Sequence, residues 1–144
     1  VGGESYTRST QEPDWHLLFL TALKTGLRQG ELFALRWEDI NFDHGVLHVR
    51  RSLSHGHETT PKSNRTRRVP MPKALEDALR ARQGQPDARV FGSIDGKPPT
   101  NSRARRALER LSKAAEVKAI RFHDLRHTYA SHLVMRSVPL NTVR

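Results

Sequence analysis

The stretch "PDWHLLFLTALKTG", residues 13–26, constrains the fold more than any other part of the chain. Trp15, Leu18, Phe19, Ala22 and Leu23 recur at i, i+3, i+4, i+7 and i+8, which is one face of an α-helix, and Leu17 and Leu20 widen that face. A stripe this broad predicts a buried helix. Asp14 is positioned to cap its start and Gly26 to stop it. At 144 residues the chain is predicted to form one domain with a real hydrophobic core.

The remaining apolar clusters arrange themselves around that helix. A second helix is predicted over residues 29–37 with Leu32 and Leu35 inward. "WEDINFDHG" is turn-rich and leads into "VLHVRRS", whose alternation predicts a strand. "LSHGHETTPKSNRTRRVPMP" predicts a hairpin extension that turns near Ser63-Asn64 and returns through Arg67, Arg68 and Val69. The expected product is a small antiparallel sheet of two or three strands. "PKALEDALRARQ" carries Leu75, Ala78, Leu79 and Arg82 at helical spacing, and "ARVFGS" reads as a short extended piece. "TNSRARRALERLSKAAEV" opens with capping residues Thr100, Asn101 and Ser102, then buries Ala104, Ala107, Leu108 and Leu111. A last helix takes Phe122, Leu125, Tyr129 and Leu133 as its apolar stripe and breaks at Pro139. The predicted class is α+β, mainly α, with one small basic antiparallel sheet.

Charge narrows the partners. The chain carries 25 Lys/Arg against 15 Asp/Glu, and the excess is uneven. Residues 50–68 hold six basic residues against one acidic, and residues 103–144 hold ten against three, whereas residues 1–49 are net acidic. Such segments suit a polyanion, because Lys and Arg displace counterions condensed on a phosphate backbone. No basic helix presents a strongly apolar opposite face for lipid, so a nucleic acid is the expected partner and a membrane is not. Cys is absent, which excludes disulfides and thiolate metal sites and fits a reducing cytoplasm. The polar opening "VGGESYTRSTQEP", residues 1–13, reads as a linker at the edge of a longer protein.

Several chemistries fit the sequence poorly. His123 and His127 stand at i, i+4, a spacing that chelates zinc, but Arg126 lies between them and would set a cation against the metal. His55 and His57 are one residue apart on the predicted hairpin. There is no nucleophile elbow and no glycine-rich phosphate loop. A phosphate-binding site fits better. Arg126 follows His123 by three residues, so a guanidinium fork and an imidazole can meet one phosphate. Arg28 follows "TG" at a helix boundary, and Lys62 sits among Ser63, Arg65, Arg67 and Arg68. Each also has a plainer reading: Arg28 can pair with Glu31, Lys62 can be solvated, and His123 can bond backbone at a helix start.

Together these segments resemble the catalytic domain of tyrosine recombinases, the phage integrase family. "TGLRQGELFALRWEDINF" resembles that family's first-arginine box, "TPKSNRTRRVPM" its β-hairpin lysine segment, and "HDLRHTYASHL" its His-X-X-Arg box. They occur in the family's order and cover roughly residues 15–144. The resemblance implies that Arg28 and Arg126 clamp the scissile phosphate and stabilise its transition state. It implies that Lys62 protonates the departing 5′ oxygen and that His123 assists proton transfer. Lys62, Ser63, Arg65 and Arg67 would contact DNA. Members of this family need no metal or other cofactor, because arginines supply the electrostatics.

The same resemblance makes Glu31 and Asp39 structural and puts His127 and Tyr129 at helix-packing positions. Tyr6 precedes every box. The nucleophilic tyrosine, the second histidine or tryptophan and the N-terminal DNA-clamping domain are therefore expected outside this sequence. Residues 14–144 would be a truncated catalytic domain of an enzyme that cuts and rejoins double-stranded DNA through a 3′-phosphotyrosyl intermediate, as a tetramer on DNA. The alternative is a non-catalytic DNA-binding module of the same fold.

Overall fold

Helix α1 (Trp15–Thr25) runs as its periodicity predicts. In a computed structural model, which describes residues 13–60, 66–93 and 95–137 and side chains of the last helix up to residue 131, it lies at the centre of the core. The Asp14 carboxylate accepts the Leu17 N–H at 3.1 Å, and Gly26 ends the helix in the left-handed region at φ 72°. Leu17, Leu18, Phe19 and Ala22 are buried, and Trp15 stacks on Phe19 with ring centroids 5.9 Å apart. Thr21 and Thr25 are buried too, and each hydroxyl donates to the carbonyl four residues back, so neither is left unsatisfied.

Helix α2 (Gln29–Ala34) stops earlier than its apolar spacing predicts. Leu35 is extended, its carbonyl accepts the Val90 N–H at 2.9 Å, and Arg36 forms a β-bridge with Arg89. Pairing with residues 88–90 thus competes with the helix and wins. Trp37–Asp39 then forms a single 3₁₀ turn in which the buried Asp39 carboxylate accepts the Arg36 N–H and a charged bond from Arg51 at 2.8 Å. "ARVFGS" forms no strand beyond that bridge, and its Phe91 fills the core at 1% exposure.

Strands β1 (Ile40–Asn41), β2 (Val46–Val49) and β5 (Arg67–Pro70) make a three-stranded antiparallel sheet in the order β1-β2-β5. Leu47 pairs with Val69 and Val49 with Arg67, so Leu47, Val49 and Val69 all point into the core. Strands β3 (Ser52–Ser54) and β4 (His57–Thr59) form a separate two-stranded ribbon. Their two-residue turn is His55-Gly56, both left-handed at φ 51° and 81°, which matches the twist of a tight hairpin. The turn predicted near Ser63-Asn64 lies outside the described residues.

Helix α3 (Lys73–Arg80) buries Leu75 and Leu79. Helix α4 (Asn101–Ala114) is capped by the Thr100 hydroxyl, which accepts the Arg103 N–H at 3.2 Å, and buries Ala104, Ala107 and Leu108. Helix α5 (Phe122–Ser137) packs along α1. Its Phe122 and Leu125 are half-buried against the core, whereas the predicted stripe member Leu133 lies beyond the described side chains. The architecture is the expected α+β, mainly helical one, with five strands in two small antiparallel sheets among the described residues.

Candidate active site

Gly26 joins α1 to α5. Its carbonyl accepts the Arg126 Nε–H at 2.8 Å, although 100 positions separate the two residues. Its Cα lies flat against the Tyr129 ring: a Cβ there would come within 2.3 Å of the ring edge. Only glycine meets both the positive φ and this close approach. Arg126, half-buried, is thereby held through one nitrogen, which leaves the two terminal nitrogens of its fork for an anion.

Arg28, at the N-cap of α2, has a side chain 65% exposed. Its nearest carboxylate oxygen, on Glu31, is 3.9 Å away, beyond hydrogen-bonding distance. Glu31 is engaged elsewhere. It accepts the Arg28 backbone N–H at 2.8 Å and both ends of the Arg67 guanidinium at 2.9 Å. The plainer expectation that Glu31 neutralises the Arg28 side chain therefore holds only weakly, while Arg67 is the residue it ties down. Arg67 remains half-exposed beside the site.

Burial pushes the Glu31 carboxyl up, but the Arg67 hydrogen bond, the Arg28 N–H and the two guanidinium charges outweigh it and hold the acid below its ordinary value of 4.5. The same Glu31 hydrogen bond raises the Arg67 guanidinium, with a smaller contribution from the Tyr129 phenol. A depressed acid stabilises the fold above its unfolded pKa and loses that contribution as pH falls through the folded value. Glu31→Gln is expected to cost about 1–3 kcal/mol at pH 7. Melting curves of the two proteins should converge as the pH drops below 4.5; a gap that stays constant down to acid pH would show that the ion pair contributes nothing.

On α5, His123 and His127 are both exposed, with their Nε2 atoms 2.9 Å apart and their rings nearly perpendicular at 89°. Arg28, Arg67, His123, Arg126, His127 and Tyr129 all line one cleft of about 590 Å³. Three guanidiniums and two imidazoles therefore converge, with Glu31 balancing one charge from behind. Such an arrangement suits an anion whose charge grows during a reaction.

Three of the four residues proposed from sequence to act in catalysis, Arg28, His123 and Arg126, meet in this cleft. Lys62 lies outside the described residues, as do Ser63 and Arg65. Tyr129 packs against Gly26 as a helix-packing residue, half-buried like Phe122 and Leu125, and the same ring walls the cleft. One expectation is corrected. His127 is exposed and does no helix packing; the i, i+4 spacing brings its ring edge to face against His123 on the open face of α5. Among the described residues no group of three or more His, Cys, Asp or Glu is arranged to hold a metal ion, and no helix is long and apolar enough to cross a membrane.

The fold and cleft define a class: a mainly helical domain that brings arginine and histidine from two helices and a strand to one cationic cleft. The Phage integrase family profile matches residues 5–144, and the chain belongs to that family. It is 35% identical to a tyrosine recombinase XerC-like protein of Caldanaerobacter subterraneus over 88% of this chain and 40% of that protein. It is 30% identical to tyrosine recombinase XerA of Pyrococcus furiosus over 89% of this chain and 43% of that protein. The chain thus spans less than half the length of these relatives. A Tn1549 transposon integrase in complex with a circular intermediate DNA superposes with a TM-score of 0.71 at 23% identity, covering 86% of this chain and 47% of that one. The crystal structure of XerA recombinase gives 0.68 at 24% identity, covering 89% and 47%; both likenesses concern the fold.

Proposed function

We propose that this chain is the phosphate-clamping part of a site-specific DNA recombinase or integrase that cuts and rejoins strands through a 3′-phosphotyrosyl intermediate. The observation that carries the reading is the meeting of Arg28, Arg126 and His123, from two family boxes far apart in sequence, in one cleft. Arg28 and Arg126 bind the non-bridging oxygens of the scissile phosphate and stabilise the extra charge of its pentacoordinate transition state. His123 assists by hydrogen bonding and proton transfer, and Lys62 protonates the departing 5′ oxygen. The basic residues 50–68 add contacts to double-stranded DNA that position without specifying.

The nucleophile is a tyrosine outside this sequence. Tyr129 is committed to the Gly26 wall and Tyr6 precedes the first box. In this reading residues 14–144 belong to a catalytic domain that continues C-terminally, and the whole enzyme acts in the cytoplasm as a tetramer on DNA. The phosphotyrosyl bond conserves the energy of the broken phosphodiester, so no cofactor is required.

The test is to incubate the parent protein with nicked suicide DNA. A covalent adduct is expected in the wild type and in both Tyr6→Phe and Tyr129→Phe. Loss of the adduct in either variant, with folding intact, would overturn the assignment of the nucleophile; no adduct from any form would favour the non-catalytic DNA-binding module.

A further inference from the structure

We infer that His127 is a positioning residue of this cleft: its Nε2–H donates to Nε2 of His123 and thereby fixes the tautomer that His123 presents to an anion. The inference takes its meaning from the recombinase reading above, but the hydrogen bond is a property of the chain itself.

Two ring nitrogens 2.9 Å apart can coexist only if one carries a proton and the other offers a lone pair. The rings meet edge to face with centroids 4.4 Å apart, so the contact is a directed one and not a stack. Whichever way the proton lies, Nε2 of His123 is occupied by His127. The only ring nitrogen left to His123 is Nδ1. A phosphate oxygen accepts hydrogen bonds and donates none, so His123 serves it only with a proton on Nδ1. That requirement fixes the direction of the pair: the His123 Nε2 lone pair receives, and His127 Nε2–H gives.

The surroundings agree with this polarity. Arg28 on α2, Arg67 on β5 and Arg126 on α5 all line the cleft, so an anion there is the natural complement. The two carboxylates near the pair are otherwise engaged. Asp124 accepts the Arg121 backbone N–H at 2.9 Å, and Glu31 is held by Arg67. Tyr129, the remaining titratable neighbour in the cleft, stands against Gly26. With those acids bound elsewhere, the contact that orients His123 is the one from His127, one helical turn along the same face.

Long-range proton–nitrogen spectra of the imidazoles of this chain, recorded where the histidines are neutral, test the inference. In the wild type, His123 is expected as the Nδ1–H tautomer and His127 as the Nε2–H tautomer. In His127→Phe, which keeps a ring but removes the donor, His123 should shift towards the Nε2–H form. In His127→Gln, whose amide N–H can replace the donor, the Nδ1–H form should be restored. A wild-type His123 already in the Nε2–H form would overturn the inference without recourse to any variant. So would a His123 tautomer that does not change in His127→Phe. These spectra need neither DNA nor turnover, so the tautomers can be as expected even where the cleft proves not to bind DNA, and the two failures are distinguishable.

Discussion

On the proposed recombinase function, Arg126→Gln in the parent protein is expected to slow strand cleavage by about two to three orders of magnitude, the usual cost of removing one preorganised donor from a developing anion. Glutamine can still reach the Gly26 carbonyl with an amide N–H, so the anchor that Arg126 now makes at 2.8 Å has a substitute. The fork and its charge have none. Arg126→Lys restores charge without the planar fork and should recover only part of the rate. Single-turnover cleavage of a nicked duplex measures the effect. A rate in Arg126→Gln within about threefold of wild type would remove Arg126 from the chemistry, since the range expected for such a donor is far larger.

The largest effect on stability is expected at Gly26. Alanine there meets a backbone φ of 72° that L residues rarely adopt, and its Cβ would press into the Tyr129 ring. The strain of the left-handed conformation and the overpacking together are expected to cost about 2–4 kcal/mol. Denaturant unfolding of Gly26→Ala, Tyr129→Ala and the double variant separates the two contributions. The double variant should be more stable than the sum of the single losses predicts, because truncating the ring relieves the clash and leaves only the backbone strain. Simple additivity would mean that α5 moves aside freely, and the Arg126 anchor on Gly26 would then have no structural consequence.

Much of the fold was legible because local rules and tertiary demands agree. Asp14 and Gly26 bound α1 where their chemistry predicts, and Thr100 caps α4 for the same reason. Discrepancies arise where a distant partner competes with a local preference. Leu32 and Leu35 share helical spacing, yet Leu35 leaves the helix because Val90, far along the chain, takes its carbonyl. No periodicity reports such a bond. The Glu31–Arg67 pair is hidden in the same way, since 36 positions separate its members and each has a nearer candidate partner in sequence.

The cleft was legible in its cations and not in its walls. Arg28, His123 and Arg126 stand out by the family boxes they sit in, since type and spacing alone leave each a plainer reading. The stripe of Phe122, Leu125 and Tyr129 packs inward as its spacing predicts, but no periodicity shows that the tyrosine meets a glycine and walls the cleft there. His127 carried a signal, its i, i+4 relation to His123, which suggested shared metal ligation. The same geometry, with no third ligand among the described residues, yields a hydrogen bond between rings.

The central claim is that Arg28 and Arg126 hold a DNA phosphate, and the affinity of this chain for a short duplex over a salt series tests it most directly. Binding is expected to be weak, indifferent to sequence and steeply weakened by salt. In the variant carrying Arg28→Gln and Arg126→Gln, checked for folding by circular dichroism, affinity at low salt should fall. The slope of log K against log salt should become shallower by about one, since both arginines neutralise the same phosphate. An affinity and a slope unchanged in the double variant would contradict the account, since DNA would then be held elsewhere on the basic surface.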